Sequence, residues 1–197
     1  MTMASADRYR SSVVPPADVA ALAERAQIGD DDAWEHLYRL AYPRLLAYAR
    51  RRLPHDAAVD AVSETMVRAV AKVDQFVWEG GGFEAWLFGI LRHVVLDAQR
   101  ASFRRPAMSP NGDGLSTQPS PEAGPLDRVL GDEEAQAVRR AFERLAPADQ
   151  ELLELRVVAG LSAEQVGDVL GKRPGAVRMA QNRALSRLRS HLKGELP

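Results

Sequence analysis

The chain has 197 residues, 46% of them hydrophobic, with a mean hydropathy of -0.27, the balance of one or two ordinary globular domains. Its 26 Lys and Arg against 27 Asp and Glu leave a formal net charge of -1, so any attraction to nucleic acid must come from where the charges sit and not from their sum. The absence of Cys excludes a disulfide framework, thiolate metal ligation and a cysteine nucleophile, and it fits a reducing compartment.

Residues 1 to 17 are polar, end near Val13-Val14-Pro15-Pro16 and read as a frayed arm. They lack the basic start and apolar stretch of a secretory signal, and the longest apolar run, Trp86 to Leu91, is far short of a membrane span, which needs roughly 20 residues. The expected location is the cytoplasm, with no membrane span.

A first structured block is expected from about residue 18 to 105. Val19, Leu22 and Ala26 open a helical period that Gly29 stops, and Asp30-Asp31-Asp32 offer N-caps for the next helix. From Ala33 to Leu53, Leu37, Leu40, Ala41, Leu45 and Tyr48 keep helical spacing until Pro54 closes the run. Val62, Met66, Ala69 and Val73 then form a narrow apolar sector at about 100° per residue, with Asp60, Glu64, Arg68 and Lys72 opposite. The three glycines Gly80, Gly81 and Gly82 break the pattern. A further helix from Phe83 to about Phe103 is expected to bury Trp86, Leu87, Ile90, Leu91, Val94 and Val95.

Residues 106 to 125 hold Pro106, Pro110, Pro119, Pro121 and Pro125 with Gly112, Gly114 and Gly124, and read as a linker. Taken from Arg104, this stretch reaches at most roughly 70 Å when fully extended. Residues 126 to 197 form a second block, helical to Leu192, punctuated at Ala146-Pro147, at Val158-Ala159-Gly160 and at Gly171-Lys172-Arg173-Pro174. No convincing period-two strand occurs anywhere. The predicted fold is all-α, two small helical domains joined by a Pro/Gly-rich linker.

Within the second block, Ser162 and Gln165 have the spacing of a capping box, Gly171 suits a left-handed C-cap, and Pro174 suits the first turn of a new helix. Helix, tight turn, helix is the DNA-binding helix-turn-helix arrangement. The second helix buries Val177, Ala180, Ala184 and Leu188 and turns Arg178, Met179, Asn182, Ser186 and Arg189 outward, with Arg183 on the flank. Arg suits guanine, Asn adenine, and an exposed Met the thymine methyl. From Lys172 to Lys193 there are seven Lys and Arg and no acid, whereas Asp132, Glu133, Glu134, Glu143, Asp149, Glu151 and Glu154 crowd the preceding stretch. The near-zero total averages unlike segments.

An enzyme finds little support. His36, His55, His93 and His191 are scattered, and only His93 and Asp97 make a pair at ligand spacing, a pattern more often a surface contact than a metal site. The Asp30 to Asp32 run reads as capping, and Gly80 to Gly82 lack the following Lys-Ser or Lys-Thr of a phosphate loop. No catalytic residue, metal or cofactor is expected. The nearer rival is a helix-turn-helix regulator that works apart from any polymerase.

Together the blocks resemble an extracytoplasmic-function (ECF) sigma factor of bacterial RNA polymerase, over about residues 18 to 192. Residues 57 to 70, Ala-Ala-Val-Asp-Ala-Val-Ser-Glu-Thr-Met-Val-Arg-Ala-Val, resemble the family's clamp-binding segment; residues 83 to 100, which begin Phe-Glu-Ala-Trp-Leu, resemble its Phe-x-x-Trp-Leu helix; Leu145 to Leu192 resemble its second domain. The resemblance implies that residues 18 to 105 bind the polymerase clamp and read and melt the minus-10 element. It implies that residues 126 to 197 read the minus-35 element beside the polymerase flap, and that an anti-sigma factor covers these surfaces.

Carried over by residue, the clamp contacts fall on Asp60, Glu64, Arg68 and Lys72, which the pattern alone reads equally as a solvated face. The minus-10 contacts fall on Trp78, Arg92, His93, Leu96, Gln99 and Arg100, phosphate-binding and base-stacking types. Trp78 is placed either to stack on a flipped base or to anchor the core; Trp86 is a core anchor. The minus-35 contacts fall on Lys172, Arg173, Arg178, Met179, Asn182 and Arg183. The sequence departs from the family at Ser63, where Gln is usual, at His93, where Asn is frequent, and at Ala180 and Gln181, where basic or aromatic residues are frequent.

Overall fold

The structure, a computed structural model, describes residues 16 to 78, 80 to 104 and 132 to 194, and among them eight α-helices and no strand occur. The expected 106 to 125 linker, most of the N-terminal arm and residues 126 to 131 lie outside the described residues.

Helix α1 (Pro16–Gln27) stops just before Gly29, where the sequence places the break, and Gly29 takes a left-handed φ of 86°. Asp30 then caps α2 (Asp31–Arg50) by accepting the Ala33 N–H at 3.1 Å, and Arg25 donates to it at 2.7 Å. Those two donors, Ala33 first, hold the Asp30 carboxyl below its usual range. Helix α2 continues through Pro43 and stops at Arg50, a turn before Pro54. Helix α3 (His55–Val70) is followed by a 3-10 turn, Val73–Gln75, and helix α4 (Gly82–Arg104) completes the first half. Gln27 of α1 ties the loop after α3 in place, donating to the Val73 carbonyl at 2.9 Å and to the Phe76 carbonyl at 2.5 Å.

The core of this half is built from Leu37, Leu45, Tyr48, Val62, Phe83, Phe88 and Leu91, all essentially inaccessible. In α4 the expected Leu87, Leu91, Val94 and Val95 are buried, while Trp86 and Ile90 are only half-buried against the core. Phe83 and Phe88 take the deepest places, so the apolar sector is rotated toward α2 relative to the sequence expectation.

The second half comprises α5 (Asp132–Glu143), α6 (Pro147–Leu153), α7 (Ala163–Leu170) and α8 (Pro174–Lys193), with a π turn, Glu154–Val158, running on from α6. The capping box forms: Ser162 accepts the Gln165 N–H at 3.1 Å and Gln165 accepts the Ser162 N–H at 2.7 Å. Gly171 ends α7 at φ 65°, and Pro174 sits in the first turn of α8. Gly167 makes the turn tight, since a β-carbon there would stand 2.5 Å from the Lys172 carbonyl oxygen. The two halves abut. Helix α4 packs on α7, α2 packs on the π turn, and the buried residues of both halves form one continuous cluster.

Candidate nucleic-acid and protein interfaces

All six side chains expected at the upstream DNA element, Lys172, Arg173, Arg178, Met179, Asn182 and Arg183, are exposed around the turn and the first half of α8. Val177 and Ala184 are fully buried beneath them, and Ala180 and Leu188 are half-buried, so the helix is anchored along one stripe and free on the other. Met179 is 62% exposed, an apolar tip in a basic setting. The first turn of α8 carries no acid, and its N-terminal amides add a positive pole suited to phosphate. Arg178 meets Glu164 at 3.2 Å, a solvated pair that constrains it little. Gln181, one of the departures from the family pattern, accepts from Arg156 Nε at 2.8 Å and is half-buried with Ala180, so neither faces outward as a reader.

The six residues expected at the downstream element are not brought to a single face. His93 and Arg100 are exposed on one flank of α4, with His93 Nδ1 2.7 Å from the Gly89 carbonyl and Arg100 donating to Asp97 at 3.0 Å. Arg92 and Gln99 fall beside Phe88 on the other flank, because at about 100° per residue they lie roughly a third of a turn from that exposed strip. There Arg92 binds Glu151 through Nε at 2.8 Å, and Gln99 donates to the Arg52 carbonyl at 3.2 Å. Leu96 is half-buried between the two flanks. Trp78 is 45% exposed and stands edge-on to Phe76, with ring centroids 5.9 Å apart. The Phe103 side chain lies outside the described residues.

Between the loop after α3 and the exposed strip of α4 lies a cleft of about 610 Å³, lined by Phe76, Val77, Trp86, Ile90 and His93, with Asp168 and Val169 of α7 on its far wall. Its floor is aromatic: Phe76 packs against both Trp86 and Phe83. A base-sized planar ring fits such a site, stacking on aromatic surface with polar groups at the rim.

On α3, Asp60 and Glu64 are exposed and Arg68 is half-buried, donating to Glu64 at 2.7 Å, while Lys72 is exposed in the turn just after the helix. Sequence reasoning missed the apolar border of this face: Val67 and Val70 are 64% and 54% exposed. Their signal was present, since both fall outside the Val62, Met66 and Ala69 stripe. Charge rimmed by exposed valine fits a protein partner better than a merely solvated surface.

The most heavily paired charges were not singled out as a group. Arg52 lies 2.6 Å from Glu154 and 3.8 Å from Glu151, and Arg51 lies 3.8 Å from Glu154. Burial pushes the Glu154 carboxyl above its usual range, with Arg52 pulling the other way. Arg52 also stacks over Tyr48 at 4.9 Å, and Arg51 over Phe142 at 5.2 Å. No cluster of His, Asp and Glu able to hold a metal, and no helix long and apolar enough to cross a membrane, occurs among the described residues.

Comparison with known proteins gives this geometry a context. Residues 37 to 105 match the Sigma-70 region 2 family and residues 141 to 190 match Sigma-70, region 4. The chain is 38% identical to the ECF RNA polymerase sigma factor ShbA of Streptomyces griseus, over 87% of this chain and 94% of that one. It is 32% identical to the ECF RNA polymerase sigma factor SigD of Mycobacterium tuberculosis, over 87% and 82%. Among solved structures, CnrH in complex with the cytosolic domain of CnrY superposes with a TM-score of 0.67 at 25% identity, covering 91% of this chain and 99% of that chain. The sigma factor RpoE in complex with the anti-sigma factor NepR from Bartonella quintana gives 0.58 at 27% identity, covering 81% and 96%.

Two helical units, matched in order by regions 2 and 4, define a sigma factor. The chain belongs to the ECF RNA polymerase sigma factors. It is a promoter-specificity subunit and not an enzyme. A regulator working apart from polymerase would explain the helix-turn-helix but would leave the region 2 match unaccounted for.

Proposed function

We propose that residues 18 to 105 dock on the clamp of core RNA polymerase through Asp60, Glu64, Arg68 and Lys72, bordered by Val67 and Val70. The cleft beside His93 and Trp78 then takes a base of the melted minus-10 element, with Arg92, Leu96, Gln99 and Arg100 on the neighbouring strand. Residues 126 to 197 read the minus-35 duplex through Lys172, Arg173, Arg178, Met179, Asn182 and Arg183 beside the polymerase flap. The factor works in the cytoplasm, and an anti-sigma factor, the partner named for the RpoE neighbour, is its natural antagonist. The observation that carries this reading is the exposed front of α8, which has no acid in its first turn, on a buried stripe of Val177 and Ala184.

The test adds the purified chain to core polymerase on genomic fragments and maps start sites. Initiation is expected at a shared pair of sequence elements. Replacing Arg178 and Arg183 together by Ala removes two bidentate candidates at about 1 to 3 kcal/mol each, so upstream-element dependence is lost while polymerase binding survives. Unchanged promoter activity in that double variant would contradict the assignment.

A further inference from the structure

Gln27 is a polar residue on an apolar stripe. It closes α1 four residues after Ala23 and one after Ala26, both buried, so at about 100° per residue its side chain leaves the helix on the core-facing side. A half-buried amide there needs partners, and it finds two. Its Nε2 donates to the Val73 carbonyl at 2.9 Å and to the Phe76 carbonyl at 2.5 Å, 46 and 49 residues further along the chain. One amide nitrogen carries two N–H donors, so a single side chain serves both acceptors. The end of α1 from which it reaches is itself fixed, by the Gly29 N–H on the Ala26 carbonyl and the Asp30 N–H on the Arg25 carbonyl, each at 3.1 Å.

The two carbonyls bracket a change of direction. Val73 opens the 3-10 turn and its carbonyl also accepts the Phe76 N–H at 3.1 Å, whereas Phe76 is extended, with φ -68° and ψ 127°. From that junction the chain runs out as Val77 and Trp78, both exposed. The Phe76 ring lies 5.1 Å from Trp86 and 5.6 Å from Phe83 and so forms the floor of the cleft. Trp78 is steadied by ring contacts, edge-on to Phe76 and across Gly82, where an added β-carbon would stand 3.0 Å from the indole. Ring contacts attract across a broad range of geometries; hydrogen bonds to two carbonyls on either side of the junction fix its direction. Packing alone does not ask for an amide at this position, since an unbranched apolar side chain would fill the same space.

We infer that Gln27 is a positioning residue for base capture: by holding the Val73 and Phe76 carbonyls it keeps Phe76, Val77 and Trp78 in the arrangement that receives a base of the minus-10 element. The inference rests on the base-capture reading proposed above. Gln27 itself touches no DNA and acts through the loop. A loop ordered in advance need not be ordered when the base arrives, which strengthens binding to the melted strand and leaves binding to polymerase and to the upstream duplex unchanged.

The test uses the full chain bound to core polymerase, on promoter fragments held open at the minus-10 element by mismatches, with a single abasic site moved through the non-template strand. In the parent, loss of the base at one position is expected to weaken binding, and that position marks the captured base. Gln27→Met keeps an unbranched side chain of similar length and removes both donors. On the intact strand it should bind about tenfold more weakly, the size of one or two ordinary hydrogen bonds. At the marked abasic position parent and variant should agree within about twofold, because a loop with no base to receive gains nothing from being ordered. Gln27→Glu sets a carboxylate against the two carbonyls and should show the same pattern; it carries the comparison should the apolar variant lose its helices, which far-ultraviolet circular dichroism reports. Glu24→Gln, a change at an exposed position on the same helix, should bind like the parent. Affinity for core polymerase and dependence on the upstream element should be the same in all of these proteins. Equal weakening on intact and abasic strands would show that Gln27 merely supports the fold, and it overturns the inference, as does undiminished binding by Gln27→Met. A parent indifferent to every abasic position strikes instead at base capture and so at the proposed function.

Discussion

Tyr48 shows how a residue can be legible by position and opaque in detail. Its place in the apolar period of α2 follows from spacing, and it is fully buried against Phe88, with ring centroids 5.9 Å apart. Its hydroxyl, however, has no hydrogen-bond partner among the described residues, and burial raises the phenol well above its normal pKa. A buried unpaired hydroxyl costs about 1 to 3 kcal/mol. Tyr48→Phe keeps the ring and its contact with the Arg52 guanidinium while removing that cost, so the variant is expected to be more stable by about 1 kcal/mol in urea unfolding. A loss of stability would mean that the hydroxyl is satisfied in solution.

At the scale of elements, the turn between α7 and α8 depends on two glycines for different reasons. Gly171 supplies a left-handed φ of 65° with open space around it, so Gly171→Ala costs only backbone strain, about 1 to 2 kcal/mol. Gly167 has no unusual φ, yet an added methyl would meet the Lys172 carbonyl at 2.5 Å, and backbone cannot step aside as a side chain can. Gly167→Ala is expected to destabilise the second domain by about 1 to 3 kcal/mol through overpacking and to abolish minus-35 recognition by re-angling α8. Thermal melting and upstream-element-dependent transcription measure the two effects; melting like the parent would show that the close approach is dispensable. The contrast explains what the sequence could carry. Ser162, Gln165, Gly171 and Pro174 act through neighbours a few residues away, so their capping chemistry is written locally, and the exposed front of α8 follows from its buried stripe. Gly167 acts through a contact visible only once the turn is built. Likewise the flank that Arg92 and Gln99 occupy depends on Phe83 and Phe88 claiming the core, and the pairing of Arg92 with Glu151 joins residues 59 apart in the chain. No helical period encodes that pairing. The π turn that brings Glu154 inward, closed by the Ala159 N–H on the Glu154 carbonyl at 2.9 Å, read in sequence only as the punctuation at Val158 to Gly160.

For the molecule as a whole, the balance of 26 basic and 27 acidic residues is best understood as a division of labour. The basic residues around the α7–α8 turn are exposed, whereas part of the acidic stretch before them is turned inward or paired: Glu151 and Glu154 on Arg52 and Arg92, Asp149 on Arg187. Glu134 and Glu143 remain exposed. Such acids oppose non-specific attraction to the DNA backbone, whose strength grows with each phosphate neutralised and falls steeply with salt. Reversing both, Glu134→Lys with Glu143→Lys, changes the charge by two units at each position and carries the formal net charge from -1 to about +3, without altering any residue assigned to promoter recognition. The double variant should bind non-promoter duplex more tightly at low salt, with a log–log salt slope steeper by about 1 to 2. In transcription with core polymerase its preference for promoter over bulk DNA should fall, because competitor duplex sequesters the free factor. Titrating competitor duplex into the reaction measures this directly, and equal inhibition of parent and variant would show that net charge plays no part in keeping the free factor off DNA.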